Sequence, residues 1–149
     1  MKKSIRVLVV DDSVVCCEML AQLIGQAPDL QVIGTANSGK DAIILNRQLR
    51  PDLITMDVQM PGLDGFSTIE EIMATLPVPI LMVTSSPVHQ GVDRTFQALE
   101  AGALDLMEKP DLDGGLVRVL HDKIRLLQDW LRSIVLKRYI FKYNKSVVA

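Results

Sequence analysis

The chain alternates five times between a short apolar run closed by a polar residue and a longer segment with apolar residues at helical spacing. Residues 6–10 stop at Asp11-Asp12, residues 31–36 at Asn37-Ser38-Gly39, and residues 80–84 at Ser85. Residues 53–57 end in a carboxylate, Asp57, ahead of a turn made of Pro61, Gly62, Asp64 and Gly65, and residues 103–108 stop at Lys109-Pro110. Runs of that length bounded by turn residues predict buried strands. Between them, Ser13 can cap a helix to about residue 26 that buries Val15, Met19, Leu20, Leu23 and Ile24. Residues 40–49 place Ala42, Leu45 and Leu49 on one side, and residues 64–76 space Phe66, Ile69 and Met73 as a helix does. A helix over residues 88–101 ends at Gly102, a helix-stopping glycine. The last helix begins near Asp113-Gly114 and carries Leu116, Leu120, Ile124, Leu127, Leu131 and Ile134 at i+3/i+4 steps. Five strand–helix units with short connections predict an α/β fold: a doubly wound, five-stranded parallel sheet, five helices and right-handed crossovers, the last helix extended.

With 149 residues the chain fits one domain and a short appendage. At 48% hydrophobic and 23% charged it is globular in composition. No apolar run approaches the roughly 20 residues that span a bilayer. The basic start is followed by an apolar run that stops at Asp11-Asp12 with no cleavage site, which argues against a signal peptide and for a cytoplasmic protein. Residues 1–117 carry 8 Lys/Arg against 16 Asp/Glu, whereas residues 118–149 carry 8 against 2. The basic residues are scattered along an amphipathic helix and its exit, so they read as a solvated face and a linker; no nucleic-acid or membrane partner is expected. We therefore divide the chain into a domain over residues 1–127 and a helical extension or linker over 128–149. Cys16 and Cys17 are adjacent, a poor disulfide framework, and read as small side chains on the first helix.

The polar residues that close the strands form one set. They are Asp11 and Asp12 after the first, Asp57 at the third, Thr84 with Ser85 at the fourth and Lys109 after the fifth. In a doubly wound sheet these carboxyl ends gather at the topological switch point. Three carboxylates that close repel one another unless a cation intervenes, and an all-oxygen ligand set favours Mg²⁺ or a similar hard ion. Acids, metal, lysine and hydroxyl together suit phosphoryl transfer, where positioning and charge neutralisation carry the chemistry. Each piece alone has an ordinary reading: Asp-Asp as a helix cap, Lys-Pro as a turn, a terminal Thr as a satisfied hydroxyl. Their joint occurrence in order carries the signal.

Over roughly residues 4–127 the chain resembles the receiver domain of two-component response regulators. The matching pieces are Val9-Val10-Asp11-Asp12-Ser13, Pro51-Asp52, Met56-Asp57, Met60-Pro61-Gly62-Leu63-Asp64-Gly65, Val83-Thr84-Ser85 and Lys109-Pro110. The likeness is closest to the N-terminal regulatory domain of chemotaxis protein-glutamate methylesterases, through Met56–Pro61, residues 69–86, residues 95–105 and Met107-Glu-Lys-Pro. The resemblance implies a flavodoxin-like fold with strand order 2-1-3-4-5. It implies that Asp57 is the phosphoacceptor for a histidine kinase, and that Asp12, Asp57 and the backbone carbonyl of Gln59 hold Mg²⁺ directly, with Asp11 acting through water. Lys109 would pair with the phosphoryl oxygens, Thr84 would be the switch hydroxyl, Ser85 would leave the site open, and Pro110 would follow a cis peptide bond. Two positions depart from the family: Leu106 stands where many receivers have an aromatic, and Cys16-Cys17 where a basic residue often sits.

The methylesterases continue into a catalytic domain with a serine nucleophile. This chain shows no Gly-x-Ser-x-Gly and only His89 and His121 as histidines. The expected function is a phosphorylation-operated switch, catalysing only its own phosphoryl transfer and hydrolysis and regulating an effector domain outside this sequence. A second reading keeps the fold as a constitutive interaction or dimerisation module acting through Trp130, Leu131, Ile134 and Val135 of the last helix. A third, a metal-dependent phosphatase, needs a second acid two residues beyond Asp57, where this chain has Gln59.

Overall fold

Each strand of the sheet sends alternate side chains into two separate cores, the period-2 consequence of a pleated backbone buried on both faces. The computed structural model describes residues 3–58, 60, 64–85, 97, 99–111 and 115–128. Among them the order is β1 (Ile5–Val10), α1 (Val14–Gly25), β2 (Leu30–Ala36), α2 (Gly39–Leu49), β3 (Leu53–Met56), α3 (Gly65–Thr75), β4 (Ile80–Thr84), β5 (Asp105–Glu108) and α4 (Val117–Leu126). The five strands pair in parallel in the order β2-β1-β3-β4-β5. Leu8, Val10, Ile54, Met56, Ile80 and Met82 face a core closed by Ala42 of α2 and by Ile69, Ile72 and Met73 of α3. Val7, Val9, Leu53, Leu81 and Val83 face the other, closed by Cys17, Leu20 and Ile24 of α1 and Leu120 and Ile124 of α4.

Ser13 caps α1 as expected, and Ser38 and Asp64 do the same for α2 and α3. Ser13 accepts from the Cys16 amide at 3.2 Å, Ser38 from the Asp41 amide at 3.1 Å, and Asp64 from the Ser67 amide at 2.8 Å. Each satisfies an amide that the first helical turn leaves without a partner. Of the helix expected over residues 88–101, only residues 97 and 99–101 lie among those described. It closes at Gly102 with φ +124°, and a Cβ there would stand 2.7 Å from Met73 Cγ.

Several expectations shift. Val15 is 74% exposed. The buried stripe of α1 runs through Cys17, Leu20, Leu23 and Ile24, and Val15 lies two residues, about 200°, from Cys17 around the helix. On α2, Leu45 and Leu49 are half-buried and the fully buried side chain beside Ala42 is Asn46, whose amide donates to the Leu76 carbonyl at 3.0 Å. The last helix starts at Val117 rather than near residue 113, and β5 starts at Asp105 rather than 103. The peptide before Pro110 is trans, the form an X–Pro bond prefers by about 0.5–1 kcal/mol. The extension over 129–149, with Trp130, Leu131, Ile134 and Val135, lies outside the described residues.

Candidate functional site

The register of β1 on β3 decides where the acids meet. Val10 pairs with Met56, and the Asp57 amide donates to the Val10 carbonyl at 3.0 Å. Asp11 and Asp57 therefore leave neighbouring strands side by side, one residue past the last rung. From that point α1 packs on one face of the sheet and α3 on the other, so the crevice between β1 and β3 is the switch point of the fold.

Oxygens of Asp11, Asp12 and Asp57 all lie within 4.8 Å of one another. Asp11 and Asp57 are buried and Asp12 is exposed, so the pocket has two acids in its floor and one on its rim. At that spacing each pair of charges repels by about 3–4 kcal/mol at an effective dielectric near 20. Lys109 answers part of the charge: its Nζ stands 2.7 Å from Asp11 Oδ2 and 3.6 Å from Asp57 Oδ2. Burial pulls the Lys109 ammonium down, but its bond to Asp11 and the Asp57 and Asp11 charges outweigh that and hold it above the usual lysine value. One cation against three carboxylates leaves a net negative pocket of oxygen donors, a set that fits a small hard divalent ion.

Thr84, buried at the end of β4, stands at the same edge, and its carbonyl accepts from the Lys109 amide at 2.9 Å. Ser85 next to it is exposed. Leu106 is half-buried, paired with Met82 across β4–β5 and packed on the core that α2 and α3 close, so it acts here as a packing residue. The strand ends thus bring together Asp11, Asp12, Asp57, Thr84 and Lys109. Gln59 lies outside the described residues.

Gly65 shapes the pocket from below. Its amide donates to the Val58 carbonyl at 3.1 Å, and a Cβ on it would stand 2.4 Å from the Asp57 carbonyl oxygen. The chain after β3 folds back so tightly on the start of α3 that only glycine fits.

Sequence reasoning passed over two residues that hold the acidic loop. Asn37 Nδ2 donates to the Asp11 carbonyl at 3.0 Å, and Cys17 Sγ lies 3.3 Å from the same oxygen. The Asp11 amide donates to the Ala36 carbonyl at 3.0 Å. Burial, then the Asp11 charge, pushes the Cys17 thiol up to about 11, so it stays protonated as a donor. The available signal was the polar residue directly after β2, the strand beside β1.

The sequence pattern of the response regulator receiver domain matches residues 7–120. The chain belongs to that family. Among solved structures it is similar to the response regulator domain of Thermotoga maritima CheB, at 37% identity and a TM-score of 0.79, covering 85% of this chain and 98% of that one. It is a receiver of the CheB type. Curated relatives point the same way: a protein-glutamate methylesterase/protein-glutamine glutaminase of Syntrophus aciditrophicus is 40% identical over 87% of this chain, and one of Methanospirillum hungatei 48% identical over 74%. The chain spans 40% and 31% of the length of those two relatives. It is also similar, at 25% identity and a TM-score of 0.69, to a structure described as the CheX–CheY–BeF₃–Mg²⁺ complex of Borrelia burgdorferi, covering 81% of this chain and 90% of that one. Among the described residues no helix is long and apolar enough to cross a membrane.

Proposed function

We propose that this chain is a phosphorylation-operated switch of a chemotaxis two-component system, accepting a phosphoryl group from a histidine kinase on Asp57. The observation that carries the reading is the pocket itself: three carboxylates within 4.8 Å and Lys109 reaching two of them. The Asp57 carboxylate is the nucleophile; an oxygen attacks phosphorus as the bond to the donor imidazole breaks. Lys109 sits where its ammonium can turn from the carboxylates to the incoming phosphoryl oxygens, and the Thr84 strand end supplies a hydroxyl at the same edge. Asp12, Asp57 and the backbone carbonyl of Gln59 are the residues that would hold Mg²⁺, with Asp11 through water. When bound, that ion supplies neutralising charge to the acids and to the transferring group.

Residues 1–127 form the receiver, and 128–149 lead toward a methylesterase/glutaminase effector of the kind named in the curated relatives, in a cytoplasmic protein. The phosphoryl group biases a two-state element that includes Thr84, and so alters the hold on the effector. The test is the amide spectrum of the full chain with beryllium fluoride and Mg²⁺. Thr84 and Lys109 resonances should move together; a folded sample whose spectrum ignores both reagents overturns the reading and leaves the constitutive interaction module, docking or dimerising through its last helix.

A further inference from the structure

The main chain of Asp11 is gripped from both sides. Its amide donates to Ala36 at the end of β2, while its carbonyl accepts from Asn37 Nδ2 at 3.0 Å and from Cys17 Sγ at 3.3 Å. Asn37 Nδ2 also stands 3.5 Å from Cys17 Sγ, and Cys17 Sγ 3.8 Å from the Ala36 carbonyl, so the three groups form one small network under the acidic loop. Asn37 is itself a surface residue after β2, yet its amide turns inward to this carbonyl instead of capping α2, a task that Ser38 performs. The Asp11 carbonyl belongs to the peptide that joins Asp11 to Asp12. That peptide carries ψ of Asp11 and φ of Asp12, so a loosened grip on it lets the main chain under both carboxylates shift.

We propose that Asn37, backed by Cys17, is a positioning residue for the acidic pocket: it fixes the Asp11–Asp12 peptide and thereby aims both carboxylates at the divalent-ion site. The inference rests on the phosphorylation reading above, through the ion that reading requires. Outer groups that orient ligands commonly change metal affinity about 10- to 100-fold when removed, and a clamp acting through one peptide belongs at the lower end. Without Asn37 the Cys17 thiol alone holds the carbonyl, a weak donor at a long distance.

Three full-length proteins test this by Mg²⁺ titration and by the Asp12 amide resonance: the unaltered chain, Asn37→Ala, and Ser38→Ala. Asn37→Ala should bind Mg²⁺ about tenfold more weakly and move the Asp12 amide signal before any ion is added. Ser38→Ala, which loosens the same connection by removing the α2 cap, should lower the melting temperature and leave both readouts where they are. Asn37 is exposed, so its truncation should fold; if it does not, Cys17→Ser against Cys17→Ala asks the same question with and without a donor. Mg²⁺ affinity within twofold of the unaltered chain in folded Asn37→Ala, or an equal loss in Ser38→Ala, overturns the positioning role. Failure of the unaltered chain to bind Mg²⁺ overturns the phosphorylation reading instead.

Discussion

The amide of Lys109 donates to the carbonyl of Thr84 across 2.9 Å, so one backbone bond ties the residue that carries the pocket's cation to the end of β4. Movement of Thr84 therefore cannot leave Lys109 untouched, nor can a pull on the lysine spare the end of β4. The ammonium of Lys109 in turn neutralises Asp11, which has no exposure to water. Sheet pairing and charge balance meet in that one connection.

Lys109→Ala should cost about 3 kcal/mol in urea unfolding without metal, because it leaves the buried Asp11 carboxylate without its cation. Added Mg²⁺ should return part of that loss, since a divalent ion answers the same charge. Equal loss with and without Mg²⁺ would show that the lysine acts only through packing.

Asp57→Asn should do the reverse. Removing one of three mutually repelling charges should raise metal-free stability by about 1–3 kcal/mol while Mg²⁺ affinity falls at least tenfold. Denaturant curves paired with ion titration decide it, and a destabilised variant would count against charge crowding as the source of the pocket's chemistry.

Gly65→Ala should damage the acceptor loop from below. The added Cβ would stand 2.4 Å from the Asp57 carbonyl oxygen and 2.7 Å from Val58 Cα, so the backbone must give way. A loss of about 2–4 kcal/mol and at least a tenfold fall in phosphorylation rate are expected. A normal rate in the folded variant would mean that Asp57 needs no tight placement.

Thr55 in β3 is buried, and its hydroxyl has no hydrogen-bond partner. Thr55→Val replaces that hydroxyl with a methyl of similar volume and should stabilise the chain by about 1 kcal/mol. Thermal unfolding gives the answer, a lower melting temperature being the contrary result.

The pH dependence has one legible contribution in the pair Arg125–Asp29, Nε to Oδ2 at 2.7 Å. The bond from Arg125 holds the Asp29 carboxyl down at about 2. A folded value below the unfolded one, about 3.9, means that the stabilisation is complete above pH 4 and is lost as pH falls through 2. Both side chains are more than a third exposed, so solvent screening keeps the contribution small. Asp29→Asn should therefore lower stability slightly at pH 7, with the deficit shrinking as pH falls through 2. A deficit that persists in acid would point to lost packing.

The acids were legible because each closes an apolar run, and a parallel sheet must bring such ends to one edge. Asp11 and Asp57 meet through the Val10–Met56 rung, a register that only the structure supplies. Val15 misled because an apolar residue on a helix announces a buried face only when its angle agrees with its neighbours, and Cys17, not Val15, lies on the stripe. The partners of Asn46 and Asn37 were illegible for a different reason, even though the place of Asn37 directly after β2 was visible. Each asparagine serves a carbonyl far off in sequence, Leu76 for one and Asp11 for the other, and no local pattern records such a partner. The start of α4 was placed too early, near Asp113-Gly114, because the helix begins at Val117 without any side-chain cap bond to mark it.

The most direct measurement is the intact mass of the full chain after incubation with a small-molecule phosphodonor such as acetyl phosphate. With Mg²⁺ present, the mass should rise by one phosphoryl group, and the gain should vanish on chelation and in Asp57→Asn. A folded chain that gains nothing, or an Asp57→Asn variant that gains as much, contradicts the account.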